Sequence, residues 1–225
     1  MIGDLLPTWA VAEYARTDAT DDATGVLFPE EEDCVARAVP KRRREFTTVR
    51  LCARAALRRL GHPPAPLLPG RRGAPRWPDG VIGSMTHCDG YRAAVVARAE
   101  DGLSLGIDVE PDGPLPEGVL DVVALPAEQD QLALLGARRP TVHWERLLFS
   151  AKESVFKTWY PLTGRELDFH EAHVTVDLAS GTFSARLLVP GPVIGGRRLS
   201  SFTGRWAADG GLVMTAIALP AATPD

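Results

Sequence analysis

The chain has 225 residues, enough for one large domain or two small ones with sizeable cores. Apolar residues make up 45% and charged residues 24%, an ordinary globular balance, and the net charge of −4 argues against a general nucleic-acid binder, whose domains are usually basic. No apolar run of roughly 18 residues or more marks a membrane span. Met1-Ile2-Gly3-Asp4-Leu5 has no basic, apolar leader, and three cysteines without zinc-ligand spacing (Cys34, Cys52, Cys88) suit a reducing cytoplasm.

Residues 1–33 are acidic and irregular, through Asp18, Asp21, Asp22 and the run Glu30 to Asp33, and read as a solvated N-terminal arm. Pro40 is well placed to open a helix. Phe46, Val49, Ala53, Leu57 and Leu60 recur at helical spacing, and Gly61 with Pro63, Pro64 and Pro66 stops the pattern. A Gly/Pro/Arg loop over residues 70–78 follows. Strand-like runs come next at Val81-Ile82, Tyr91–Ala97 and Leu103–Val109, separated by the turn signals Asp89-Gly90 and Asp101-Gly102.

Residues 111–116 read as a linker, dividing the chain into halves 1–112 and 113–225. The second half opens with a predicted helix near Ala127–Leu135. A longer helix over Val142–Trp159 carries the apolar stripe Trp144, Leu148, Ala151, Val155, Trp159. Strands are predicted at His173–Asp177, Phe183–Val189, Ser201–Trp206 and Leu212–Leu219. Each half is helix followed by strands, which predicts an α+β fold; no clear sequence repeat relates the halves.

Four features carry chemistry. Leu105 to Glu110 alternates strictly, so Leu105, Ile107 and Val109 share one face of a strand and Asp108 and Glu110 the other. Neighbouring carboxylates repel unless a positive charge lies between them, and Mg²⁺ suits a site of few carboxylates plus phosphate and water. The plainer reading is an exposed polar face ending at Pro111. On the long helix, Glu153 and Lys157 are four apart on one face. Alone they would be an ordinary surface pair worth about 0.3–0.5 kcal/mol. His87 lies at a predicted strand end, where a lone histidine is usually structural. Lys41 to Arg44, Arg50, Arg54 and Arg58 form a basic helix, and Arg71, Arg72 and Arg76 stud the loop. A solvated basic face is the usual meaning, but arginine forks in an acidic protein also suit a multiply charged anion. Ser154-Val155-Phe156-Lys157 matches the Ser-x-x-Lys of penicillin-binding enzymes without the rest of that set. No Gly-x-Gly-x-x-Gly follows a strand, and His170 and His173 lack companions for a zinc site.

Taken in order, these features resemble the 4′-phosphopantetheinyl transferase superfamily of the surfactin-synthetase and enterobactin type, with the actinobacterial members nearest. The elements are Arg42 to Arg50, Gly73-Ala74-Pro75, Thr86-His87-Cys88, Gly106-Ile107-Asp108-Val109-Glu110 and Lys152-Glu153-Ser154-Val155-Phe156-Lys157. Many relatives carry lysine where this chain has Ala74, and Arg72 stands ready to replace it. The resemblance implies two similar α+β halves related by pseudo-two-fold duplication, with coenzyme A in the cleft between them. It implies Mg²⁺ on Asp108, Glu110 and Glu153. Coenzyme A contacts would come from Arg42, Arg50, Arg72, Gly73, Pro75, Thr86, His87, Asp108, Lys152 and Lys157. Asp108, Glu153 and Lys157 would be catalytic, with Glu153 the leading base, directly or through a water. The implied reaction moves phosphopantetheine onto a serine of apo acyl or peptidyl carrier proteins of polyketide, nonribosomal peptide and fatty-acid synthases, releasing adenosine 3′,5′-bisphosphate. A cytoplasmic monomer, with no nucleic-acid or membrane partner, is expected. Two other readings stand beside it: a Mg²⁺-dependent nucleotide or coenzyme A phosphohydrolase, and a non-catalytic carrier-binding protein.

Overall fold

The computed structural model describes residues 1–19 and 25–221. In chain order, β1 (Val11–Ala15), α1 (Pro29–Val35) and α2 (Pro40–Arg59) precede the strands β2 (Val81–Cys88), β3 (Tyr91–Arg98) and β4 (Gly102–Pro111). The helices α3 (Val119–Val123), α4 (Pro126–Arg138) and α5 (Trp144–Thr163) follow. The chain ends with β5 (Ala172–Asp177), β6 (Thr182–Leu187), β7 (Val193–Ile194), β8 (Arg197–Arg198), β9 (Ser201–Asp209) and β10 (Leu212–Pro220). The fold is mixed α+β. One antiparallel sheet has the order β1-β3-β2 and a second β4-β10-β9-β6-β5, with β7 and β8 pairing as a small hairpin.

The predicted helices and strands form where their periodicity requires. Helix α2 buries Phe46, Val49, Ala53, Ala56 and Leu57. It ends in paired terminal hydrogen bonds, His62 N to Leu57 O and Gly61 N to Arg58 O, with Gly61 at φ 89. Its apolar stripe packs on Ala94 and Val96 of β3. The other face of β3, through Tyr91, Ala93, Val95 and Ala97, joins Leu105, Ile107 and Val109 of β4 and Leu212, Met214 and Ala216 of β10. Helices α4 and α5 cover the second sheet, with Trp144, Leu148, Val155 and Trp159 set against Val174, Phe183, Phe202 and Val213.

One expectation is corrected. The segment before α2 is no solvated arm: Ile2 and Leu5 are buried in the core between the sheets, and β1 pairs with β3 from Val11↔Val96 to Ala15↔Arg92. Its acidic residues mask this. Glu31 is wholly buried because Arg54 neutralises it, while Asp18 pairs with buried Arg92 at 2.8 Å. Asp21 and Asp22 lie outside the described residues. The second sheet draws strands from both sides of residue 112. Strand β4 lies before it, yet pairs with β10 from Leu212↔Pro111 through Ala218↔Leu105. On its other edge β4 meets β2 through hydroxyls, Ser84 Oγ accepting from Ile107 N at 3.1 Å and Thr86 Oγ1 from Val109 N at 3.2 Å.

Helix α5 approaches β4 very closely. A Cβ on Gly106 would stand 2.2 Å from both Ser154 O and Thr158 Oγ1. Small hydroxylated residues fill the seam: Ser104 Oγ donates to Thr158 O at 2.8 Å, and the Thr215 hydroxyl meets those of Ser150 and Ser154 at 2.9 and 2.7 Å. Because the atom opposing Gly106 is a helix carbonyl, it cannot rotate away, and Gly106→Ala must lift the helix. We expect this variant to lose at least about 2 kcal/mol of stability and, at about 2–4 °C per kcal/mol for a chain of this size, to melt several degrees lower in calorimetry.

Candidate active site

Strand β4 and helix α5 bring together Asp108, Glu110, Glu153 and Lys157. Asp108 is almost fully buried. Its Oδ1 accepts from Lys157 Nζ at 2.8 Å and Thr86 Oγ1 at 3.2 Å, while Oδ2 is buried with no partner. Lys157 also donates to Ile107 O at 3.1 Å. Glu110 accepts from Arg146 at 3.2 Å, and burial together with the Asp108 charge raises its carboxyl to about 7 despite that partner. Glu153 is raised in the same way, first by burial and then by Asp108, with Lys157 opposing. Glu110 and Glu153 thus each feel the Asp108 charge, and Asp108 keeps one unpartnered buried oxygen, an arrangement that favours an added cation. Among the described residues no three acidic, histidine or cysteine side chains are close enough to cage a metal unaided. An ion held here would have to take most of its shell from phosphate oxygens and water.

A cavity of about 800 Å³ adjoins this cluster. Its wall runs from Glu153, Phe156, Lys157 and Tyr160 of α5 to Arg42, Glu45, Phe46 and Arg50 of α2. The Arg71–Trp77 loop closes another side, with Gly73, Ala74 and Pro75 all on the lining. Arg50 is buried, stacks 3.6 Å from the Phe46 ring centre and donates Nε and Nη2 to Leu67 O, and burial lowers its pKa to about 10, so it stays charged at neutral pH. Arg42 Nη1 lies on His87 Nε2, whose pKa is lowered by burial and by Arg42, so the imidazole accepts in its neutral form. Arg72 sits at φ 57, a backbone conformation costly for any residue but glycine, and reaches across to Glu166 of the second half.

Most of the residues singled out from the sequence therefore meet at one cleft, with two exceptions. Lys152 does not reach the cavity. Its side chain is 2% exposed on a different face of α5 from Lys157, where its ammonium donates to Glu128 Oε2 at 2.7 Å, Val123 O at 2.8 Å and Phe169 O at 2.7 Å. Those three acceptors saturate the group, leaving no donor for a phosphate. The Thr86 hydroxyl is likewise directed at β4, holding Asp108, rather than at the cavity lining. Three further residues went unmarked in the sequence. Arg146, the partner of Glu110, lies two turns before Glu153 on the same helical stripe. Glu45, three residues after Arg42, stands 3.5 Å from Arg92 and 3.7 Å from both Arg42 and His87. Glu128 sits at the N3 position of α4, where Pro126 and a following glutamate are a helix-start signal.

Two family models match the chain: the 4′-phosphopantetheinyl transferase N-terminal domain over residues 30–97, and the 4′-phosphopantetheinyl transferase superfamily over residues 104–201. The 4′-phosphopantetheinyl transferase Svp of Streptomyces mobaraensis is 72% identical over 98% of this chain and 90% of its own length. The 4′-phosphopantetheinyl transferase Npt of Nocardia iowensis is 52% identical over 84% and 88%. The 4′-phosphopantetheinyl transferase PptT of Mycobacterium tuberculosis is 46% identical over 97% and 98%. With whole-length relatives at this identity, and with both characteristic segments matched in order on the residues that build the cleft, the chain belongs to the 4′-phosphopantetheinyl transferase superfamily and is a transferase.

Proposed function

We propose that the chain carries the 4′-phosphopantetheine arm of coenzyme A to a serine of apo acyl or peptidyl carrier proteins, aided by Mg²⁺. The observation that carries the catalytic assignment is the orphaned Asp108 Oδ2, whose carboxylate charge raises both Glu110 and Glu153, beside a cavity walled by Arg42, Arg50 and Lys157. Asp108, Glu110 and Glu153 would hold the ion, Glu110 through the oxygen not engaged by Arg146. When bound it supplies Lewis-acid stabilisation of charge on the pyrophosphate.

The remaining roles fall to the chain's own groups. Arg42, Arg50 and His87 face the adenosine phosphates from α2 and β2, and Arg72 joins them by exchanging Glu166 for a phosphate oxygen. Gly73 and Pro75 shape the loop, and Lys157 spans Asp108 and the phosphate under attack. The carrier's serine oxygen bonds to the β-phosphorus, the pyrophosphate bridge breaks, and adenosine 3′,5′-bisphosphate leaves. Glu153, its basicity raised by burial, takes the hydroxyl proton. Preorganised charge and positioning supply the rate.

Intact mass spectrometry of an apo carrier protein incubated with the enzyme, coenzyme A and Mg²⁺ tests this. The carrier gains one phosphopantetheine, and Asp108→Ala, Glu153→Ala or a chelator lowers the rate at least about 100-fold. Hydrolysis of coenzyme A with no gain by any carrier would instead indicate a phosphohydrolase.

The crowded carboxylates also predict a stability effect. Glu110 titrates near 7 in the folded chain and near 4.5 when unfolded, so the native state holds more protons between those values. Stability therefore falls as pH rises from 4.5 to 7 and stays reduced above. Without metal or coenzyme A, Glu110→Gln, which still accepts from Arg146, is expected to melt at least about 2 °C higher than the parent at pH 8. That gap should close by pH 5 in paired thermal scans, whereas an equal gap at both values would place its origin elsewhere.

A further inference from the structure

Two buried ion pairs outside the cavity repeat one design. In the first half, Glu31 follows Pro29 at the start of α1. It accepts from Phe28 N at 3.0 Å, Leu67 N at 2.8 Å and Arg54 Nη1 at 2.8 and 2.9 Å. Arg54 also donates to Val26 O at 2.8 Å. In the second half, Glu128 follows Pro126 at the start of α4. It accepts from Leu125 N at 2.7 Å, Val174 N at 2.6 Å and Lys152 Nζ at 2.7 Å, while Lys152 also donates to Val123 O. The spacing Val26, Phe28, Pro29, Glu31 is that of Val123, Leu125, Pro126, Glu128. Both glutamates are 0% exposed, and their cations are 11% and 2% exposed.

Burying an ion pair seldom stabilises a fold more than apolar residues of the same shape would, so its value is sought in the geometry it fixes. Both cations sit on helices that carry cavity residues. Arg54 is one turn beyond Arg50, and Leu67 links its partner Glu31 to Arg50, donating its N–H to Glu31 and accepting from Arg50 at its carbonyl. Lys152 precedes Glu153. It also holds the carbonyl of Phe169, and Lys152 and Phe169 both border a small groove with Glu153 and Phe156. Locking one side chain of a helix fixes its rotation, since successive residues are about 100° apart.

We infer that Glu31–Arg54 and Glu128–Lys152 are paired positioning clamps with separate kinetic roles: the first sets α2 and so the affinity for coenzyme A, the second sets α5 and so the rate of transfer. The kinetic assignment rests on the proposed roles of Arg50 and Glu153. None of the four clamp residues touches the cavity.

The test uses two neutral clamps that keep an acceptor for the backbone, Glu31→Gln/Arg54→Met and Glu128→Gln/Lys152→Met. Each is assayed for the coenzyme A Kd by calorimetry, for kcat and KM with an apo carrier, and for amide exchange along α2 and α5. We expect the first variant to raise the Kd and KM for coenzyme A about tenfold with kcat within about twofold, and the second to lower kcat about tenfold with Kd within about twofold. Faster exchange should be confined to α2 in the first and to residues 150–157 and the Phe169 segment in the second. Should a neutral clamp fail to fold, the charge-keeping Arg54→Lys and Lys152→Arg are expected to show the same split in smaller measure. A raised Kd in the Lys152 variants would make that lysine a coenzyme A ligand and overturn the proposal, as would equal losses in both constants or no change in either. If the parent binds coenzyme A yet modifies no carrier, the transferase reading of the site fails instead. The Kd and exchange measurements then still decide the clamps.

Discussion

Everything in the cleft depends on how closely α5 lies on β4. Gly106 removes a side chain that would separate them, and Ser104, Ser150, Ser154 and Thr215 satisfy the polar groups sealed into the seam. A helix one methyl farther out would carry Glu153 and Lys157 away from Asp108, and the 2.8 Å contact between Lys157 and Asp108 would open. The Gly-Ile-Asp-x-Glu segment is therefore a packing instruction and a chemical one at once. Its glycine admits the helix that completes the site its carboxylates begin.

The electrostatics follow from that proximity. Asp108 is made tolerable by Lys157 and Thr86, yet one of its oxygens has no partner, while Glu110 and Glu153 are both pushed toward their neutral forms. A fold selected for stability alone would not gather three such groups, and a cation bound beside them would relieve the tension. On the opposite wall the arrangement is reversed. Arg42, Arg50 and His87 converge with Glu45 near them as counter-charge, and the neutral imidazole limits the excess of positive charge before an anion arrives.

The two halves meet unequally. Strand β4 belongs by sequence to the first half and by hydrogen bonding to the second sheet, and the hydroxyls of Ser84 and Thr86 stitch it to β2 in place of a backbone ladder. Arg72 and Glu166 make a further link across the opening. The cleft is thus walled by elements from both halves, with the carboxylate-bearing strand at the join.

The sequence by itself determined the long helices, the alternation of β4 and the chemical character of the cleft. Each of these is a local pattern: apolar stripes at helical spacing, carboxylates on one strand face, basic residues clustered on one helix and one loop. It misjudged the first 33 residues because acidic content was read as solvation, whereas Glu31 is buried on Arg54 and Ile2 and Leu5 plug the core. It assigned Lys152 to the anion along with Lys157. Five residues on a helix turn through about 500°, which leaves two side chains on different faces, and only the packed structure reveals that Glu128 waits on one of them. Which charges meet ligand and which meet each other is set by contacts between residues far apart in the chain, and those were decided by the tertiary structure alone.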